Sequence, residues 1–175
     1  MVATVSGKLS EIILAHFEPG EDLYKGLVRV IKERDIKSGV IFSITGSLEK
    51  ATLHRNRTEA TASLRGEWVV VPGPVEVSGN GLIGQVEAPD FSETGFDLGG
   101  IFVHGEPYLH VHITVSSAKE TVCGHLHEGS PVKSFDPVSH FTVVLGRIDG
   151  AMVRLEGEPG DEPGSFRMGH HLVKF

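Results

Sequence analysis

Apolar side chains recur with a two-residue period in two neighbouring segments near the middle of the chain. They are Leu109, Val111 and Ile113 in the first segment, and Val122 and Leu126 in the second. This period is typical of β-strands, whose successive side chains point to opposite faces of a sheet. The short polar interval at residues 116–119 suits a turn. We therefore predict a β-hairpin in this part of the chain.

The rest of the chain shows one helical pattern and several further strand-like segments. Apolar residues spaced along one helix face predict a helix at about residues 21–34. A strand-like segment precedes this helix and another follows it, which gives a βαβ-like opening. Strands are predicted at residues 9–17, 40–45, 48–57, 67–71, 75–77, 82–86, 99–105, 132–135, 140–147 and 152–155.

Glycine and proline indicate how these elements are connected. The chain has 22 glycines and nine prolines, which favours a turn-rich, sheet-dominated α+β fold. A length of 175 residues suffices for one domain with its own core. We predict a single domain over residues 1–175. Its core spans about residues 9–155, and a tail at about residues 156–175, rich in glycine and proline, is expected to be irregular.

Charge and cysteine content narrow the range of partners and compartments. The formal net charge of −7 makes nucleic-acid binding an unfavourable assignment, because phosphate binding needs clustered Lys and Arg. Cys123 is the only cysteine, so no internal disulfide can form. The sequence has neither a basic leader nor about 18 uninterrupted apolar residues that would span a membrane. We expect a soluble, cytoplasmic protein with no membrane association.

Two His-x-His pairs, His110 with His112 and His125 with His127, lie within the predicted hairpin. In an antiparallel pair joined by a two-residue loop at residues 118–119, the numbers of opposed residues sum to an odd value. His112 then opposes His125, and His110 opposes His127. A slip by two residues would set His110 against His125 instead. In both registers all four histidines share one face of the hairpin.

Three imidazoles on one face can converge on one metal ion. Opposed Cβ atoms lie about 4.5–5.5 Å apart, and imidazole nitrogens bind zinc at about 2.0–2.1 Å. Neutral imidazole also suits copper, nickel and iron, with zinc the default where no other protein ligand is evident. The alternative is that the histidines are polar surface groups that bind no metal.

A set of short motifs occurs in a fixed order along the chain. They are the helix start at Glu18–Leu23, the glycine-containing strand end at Thr45–Ser47, the segment Pro74–Gly79, His110-x-His112 and Gly124-His125. In this order they resemble the plants-and-prokaryotes conserved domain, formerly a domain of unknown function numbered 296. The similarity covers most of residues 9–155.

The resemblance implies a mainly antiparallel sheet of about seven strands, one main helix, short flanking helices and a homotrimeric assembly. It also implies that His110, His112 and His125 form a metal triad, read as zinc, near the subunit boundary. Plant members of the family carry AT-hook motifs and act in DNA binding. This chain lacks the Arg-Gly-Arg-Pro core of that motif, since Arg65 and Gly66 are followed by Glu67.

Two features depart from the family pattern. Cys123 stands where the family has a glycine before Gly124 and His125. Its thiol is interpreted as a fourth metal ligand, a small buried hydrophobic group or a reactive thiol. The segment Gln85–Leu98 also looks longer than is usual in the family.

Three functional hypotheses from different classes follow. The first is a zinc-dependent enzyme that performs hydrolysis, hydration or lyase chemistry on a small polar metabolite, with one zinc ion per subunit. Its general acid or base would be His127, Glu128, Glu76 or His104. His127 is the best of these candidates, because its strand parity places it on the same face as the metal triad. The second is a non-catalytic, metal-stabilised regulatory or ligand-binding module. The third is a DNA-associated protein, by analogy with plant members.

Overall fold

A computed structural model describes residues 2–56, 66–87, 102–135, 137–159 and 166–175. Three sequence predictions fall partly outside these residues. They are the long segment Gln85–Leu98 from position 88 onward, the end of the strand at 48–57 and the start of the strand at 99–105. In chain order the elements are β1 (Lys8–Phe17), α1 (Leu23–Glu33), β2 (Gly39–Asn56), β3 (Gly66–Glu87), β4 (Pro107–Ser116), β5 (Thr121–Leu126), β6 (Phe141–Asp149), β7 (Met152–Pro159) and β8 (Phe166–Val173).

The strands form one sheet in the order β1-β6-β2-β5-β4-β3-β7-β8. Both β1 and β2 run antiparallel to β6, so they are parallel to each other and joined through α1, as the βαβ-like opening predicts. The long strand β2 also pairs with β3, so β2, β3, β4 and β5 complete a closed circuit of strand pairings. This circuit carries the histidine hairpin, because β4 and β5 lie side by side in it.

Helix α1 covers one face of the sheet. It begins after Asp22, whose side chain accepts a hydrogen bond from the backbone of Lys25, and it buries Leu23, Leu27 and Ile31 completely or nearly so. Their spacing places them on one helix face, toward the sheet. Burial of three large aliphatic side chains contributes about 1.5–3 kcal/mol each. The opposite face of the sheet has no helix over it in the described residues, and His110, His112 and His125 lie on that face.

Gly26 occurs in the middle of α1, where glycine would ordinarily weaken a helix by about 1 kcal/mol. A Cβ atom at this position would overlap the ring of Phe17. Phe17 is fully buried and packs edge-to-face against Phe141, with 5.9 Å between ring centroids. The glycine therefore lets the helix approach β1 closely, and the packing of Phe17 offsets the lost helical propensity.

The sequence prediction of a sheet-dominated fold with one main helix is correct at that level, but several details differ. The described residues contain eight strands rather than about seven, no short flanking helices, and one parallel pairing, between β3 and β7. The predicted strands at 40–45 and 48–57 are one strand, β2, with register shifts along it. Residues 102–105 form coil and a turn rather than a strand.

The predicted irregular tail is also wrong where the structure describes it. Residues up to 159 extend β7, and residues 166–173 form β8, which pairs antiparallel with β7 from Met152 opposite Val173 to Pro159 opposite Phe166. Long-range pairing fixes this strand although its sequence lacks a clear strand period. None of the helical structure in the described residues has the length and apolar character needed to cross a membrane.

Candidate metal centre

The β4–β5 hairpin has the register that the sequence predicts. His112 lies opposite His125, and the last opposed pair before the turn is Ser116 with Thr121. The turn is tightened by the Ser117 hydroxyl, which accepts hydrogen bonds from the backbone amides of Lys119 and Glu120 at 3.1 and 3.3 Å. Because opposed residues share a face, this register brings the histidines of the two strands together.

Three of these histidines form a compact group, which we call the three-histidine cluster: His110, His112 and His125. Nε2 of His110 lies 3.2 Å from Nε2 of His112 and 3.3 Å from Nε2 of His125. A tetrahedral zinc ion with bonds of about 2.0–2.1 Å would hold its ligand nitrogens about 3.3–3.4 Å apart. One donor atom from each residue lies within 4.8 Å of the other two. The side chains therefore fit a single metal ion.

The backbone of β2 fixes how His125 is oriented. Nδ1 of His125 lies 3.2 Å from the carbonyl oxygen of His54, the residue opposite it in β2. A carbonyl only accepts hydrogen bonds, so Nδ1 carries the proton and donates. In the neutral ring Nε2 then keeps a lone pair, directed toward the cluster. Metal-binding histidines commonly have their second nitrogen held by a carbonyl or carboxylate in this way.

Burial favours the neutral form of two members of the cluster, His110 and His112. Desolvation first, and then the neighbouring histidines His170, His125 and His112, lower the pKa of His110 to about 4. The pKa of His112 is also lowered, first by burial and then by His125. The neutral imidazole is the form that binds a metal ion. The rings of His110 and His112 are thus ready to act as ligands at neutral pH.

Sγ of Cys123 does not belong to the group of donor atoms that lie within 4.8 Å of one another. It lies opposite Thr114 in the hairpin, and its side chain is exposed. Of the three roles considered for this thiol, burial as a small hydrophobic group is therefore wrong, and the described geometry supports three protein ligands rather than four.

His127 does not join the cluster, although the parity of the hairpin predicted that it would share the cluster's face. Strand β5 ends at Leu126, and the ring of His127 packs instead among Tyr24, Trp68 and His54, with centroids 6.1, 4.6 and 6.1 Å away. Burial first, and then the neighbouring His54 and His125, lower the pKa of His127 to about 4. The chain turns away from β4 after Leu126, and this removes His127 from the position opposite His110.

The other three candidate acid–base residues also lie apart from the three-histidine cluster. Glu128 forms an ion pair with Lys25 of α1, with 3.0 Å between the carboxylate and the amine. Glu76 is exposed opposite Ser116 at the turn end of the hairpin, about 13 Å along the strand from His112 at about 3.3 Å per residue. His104 is exposed in the turn before β4. Their catalytic roles stay predictions.

Two residues beside the cluster were missed by the sequence analysis. The hydroxyl of Tyr108 lies 2.6 Å from Nε2 of His170, and the His170 ring centroid is 4.9 Å from that of His110. Tyr108 could have been found, because it has the same strand parity as His110 and His112. His170 could not, because its place depends on the pairing of β7 with β8, which the sequence does not signal.

Comparison with solved structures finds the same fold in proteins of low sequence identity. A metal-containing protein from Archaeoglobus fulgidus superposes with a TM-score of 0.67 at 17% identity, over 95% of this chain and 99% of that one. A plant- and prokaryote-conserved protein from Pyrococcus horikoshii superposes with a TM-score of 0.64 at 18% identity, over 91% and 92% of the two chains.

A protein from Ralstonia eutropha JMP134, named as a candidate DNA-binding protein, superposes with a TM-score of 0.56 at 15% identity, over 93% of this chain and 94% of that one. At these identities the likeness extends to the fold alone.

A search among curated proteins finds no match. Residues 4–135 match the family model of the Plants and Prokaryotes Conserved (PCC) domain, which is most of the chain, and they include all three histidines of the cluster. The chain is therefore a member of the Plants and Prokaryotes Conserved domain family.

Proposed function

We propose that the protein is a zinc-dependent enzyme whose three-histidine cluster holds one zinc ion per subunit and acts on a small polar metabolite by hydrolysis, hydration or lyase chemistry. The observation that carries this proposal is the convergence of three Nε2 atoms at 3.2 and 3.3 Å spacing without a fourth protein donor in the described residues. Structural zinc sites are closed by four protein ligands, whereas catalytic ones have three.

The surroundings of the cluster suit such a role. His112 is exposed, and His110 and His125 are half-buried, so a small molecule can reach the centre from solvent. A zinc ion bound there would act as a Lewis acid that polarises a carbonyl group and activates water. The chain itself supplies the orientation of His125, through the carbonyl of His54 at 3.2 Å. Burial of His110 keeps its ring unprotonated at neutral pH.

The four candidates for a general acid or base differ in where they lie relative to the three-histidine cluster. Among the four sequence candidates His127 remains the best, because its ring contacts that of His54, which in turn lies 6.2 Å from the ring of His125. Glu128 is held by Lys25. Glu76 and His104 are farther along the chain from the cluster, and we rank them below the other two.

We further propose that the protein is a homotrimer with the cluster near a subunit boundary. Large apolar side chains are exposed on the sheet face that α1 does not cover, and we call this set the open apolar face: Leu9, Ile12, Leu14, Phe42 and Leu82. Leu82 lies directly opposite His110 in the β3–β4 pair, so the open apolar face adjoins the cluster. Exposed apolar surface of this kind favours association between copies of the chain.

Two alternatives make different predictions about the same centre. A metal-stabilised regulatory or ligand-binding module would hold its ion tightly with no exchangeable ligand. A DNA-associated protein, suggested by the name of the Ralstonia relative, would bind duplex DNA with a strong dependence on salt. The formal net charge of −7 does not favour the second alternative.

The metal content of purified, tag-free protein tests the proposal. We expect about one zinc per subunit, because the spacing of the three imidazole nitrogens matches zinc geometry, and we expect His112→Ala to lose most of it. His16→Ala is a matched control, since His16 is a half-exposed histidine on β1 that pairs with Glu18. Mass spectrometry measures the metal, and light scattering records the oligomer. Wild-type protein without metal, or equal metal in the wild type and His112→Ala, would refute a three-histidine centre.

A further inference from the structure

A fourth imidazole lies beside the three-histidine cluster without belonging to it. His170 is carried by β8 and lies opposite Leu155 of β7. Its ring centroid is 4.9 Å from that of His110. The ring nitrogens of His170 do not belong to the group of donor atoms, from His110, His112 and His125, that lie within 4.8 Å of one another. His170 is therefore placed to contact what binds at the cluster rather than to complete it.

Tyr108 holds His170 in this position. The Tyr108 side chain is buried in a small apolar group with Val86 and Leu155, and its ring packs edge-to-face on Phe102 at 5.8 Å. Its hydroxyl makes a 2.6 Å hydrogen bond with Nε2 of His170. A phenol hydroxyl is protonated at neutral pH and can donate to Nε2. In the neutral ring of His170 the proton is then on Nδ1, which remains a hydrogen-bond donor.

Charge around the cluster favours an anionic ligand. The residues directly opposite its histidines on the neighbouring strands are Asn80, Leu82 and His54, and none of them carries a carboxylate. Three neutral imidazoles do not offset the charge of a divalent ion, so a metal-loaded centre would carry two positive charges. A small carboxylate would neutralise part of this charge and could accept a hydrogen bond from His170.

We propose that His170, positioned by Tyr108, is a ligand-binding residue that donates a hydrogen bond to a small carboxylate bound at the three-histidine centre. The inference rests on the proposed metal centre and deepens it, because it names a carboxylate-bearing molecule as the substrate class. It also assigns a function to the C-terminal strand β8, which brings His170 to the open side of the cluster.

Acetate binding to cobalt(II)-loaded protein tests this inference, because the visible absorption of cobalt(II) responds to a change in its ligands. The wild type is expected to change its spectrum on titration with acetate. His170→Ala should bind cobalt with the same stoichiometry but acetate about tenfold more weakly, the effect of losing a hydrogen bond to a charged group. His170→Gln, which keeps an N–H donor, should recover part of the affinity. Tyr108→Phe should weaken acetate binding to an intermediate degree, and His16→Gln should not change it.

The outcomes separate the two proposals. If the wild type takes up no cobalt, the metal centre fails and the inference fails with it. If cobalt binds but acetate has no effect on the wild-type spectrum, the metal centre stands and the carboxylate ligand is wrong. Equal acetate affinity in the wild type and His170→Ala refutes the role of His170. Loss of cobalt from His170→Ala would make His170 a fourth ligand and refute it too.

Discussion

The position of His125 depends on how closely β5 approaches β2. Gly124, the residue before it, lies against the backbone of His54, and a Cβ atom at this position would be 2.9 Å from the His54 carbonyl oxygen and 3.2 Å from Cβ of Leu53. The same carbonyl accepts the hydrogen bond from Nδ1 of His125. A glycine is thus needed here for close approach rather than for an unusual backbone conformation.

Gly124→Ala is therefore expected to weaken metal binding. The added methyl group pushes β5 away from β2 and lengthens the hydrogen bond that orients His125. Loss of such an orienting contact typically costs about 10–100-fold in metal affinity. Zinc affinity can be measured by competition with a chromophoric chelator. Cys123→Ala is the matched control on the same strand and should bind zinc like the wild type, since Cys123 lies outside the donor group. Unchanged affinity in Gly124→Ala would contradict this account of the glycine.

At the scale of whole elements, Asp22 connects the start of α1 to the segment that follows β5. One carboxylate oxygen accepts from the backbone of Lys25 at 3.0 Å, as an N-cap does. The other accepts from the backbone amides of Gly129 and Ser130 at 2.6 and 3.0 Å. A single side chain thus satisfies three backbone donors. It also fixes the turn by which the chain leaves β5 and carries His127 away from the cluster.

Asp22→Ala should lower the free energy of unfolding by about 2–4 kcal/mol, because it removes both the helix cap and two charge-assisted hydrogen bonds. Asp22→Asn should lose less, since its amide oxygen can still accept a hydrogen bond. Equilibrium unfolding in urea measures both effects, with a chelator present so that bound metal does not contribute. A loss below about 0.5 kcal/mol in Asp22→Ala would mean that this link does not stabilise the fold.

The elements differ in how well their own sequence specifies them. The hairpin at β4 and β5 could be predicted because its two-residue period and its short loop fix both face and register. Helix α1 was equally clear, although its observed bounds, Leu23–Glu33, are shorter than the predicted 21–34. Strand β8 could not be predicted, because it is stabilised by pairing with β7 rather than by a pattern of its own. That is why Tyr108 was accessible to sequence reasoning and its partner His170 was not.

At the scale of the whole molecule, the sheet has one covered and one open side. Helix α1 buries the residues on one side, while the open apolar face exposes Leu14 by 73%, Ile12 by 59% and Phe42 by 48%. These positions follow from strand parity, since the neighbouring Ile13 is buried. A monomer in water would leave this surface uncovered. Burial of each such side chain between subunits is worth up to about 1.5–3 kcal/mol, enough in combination to stabilise an oligomer.

A charge on the open apolar face is expected to dissociate the homotrimer. In Leu14→Glu a carboxylate would have to be desolvated at the interface, which costs several kcal/mol per ion, while a monomer could keep it in water. Light scattering after size-exclusion chromatography should give the mass of three chains for the wild type and of one chain for the variant. Val103→Glu, at an apolar residue 45% exposed in the segment before β4, should remain trimeric. Circular dichroism distinguishes dissociation from unfolding. A wild-type monomer, or a trimeric Leu14→Glu, would show that this face does not join the subunits; if metal is nevertheless retained, the three-histidine centre is complete within one chain.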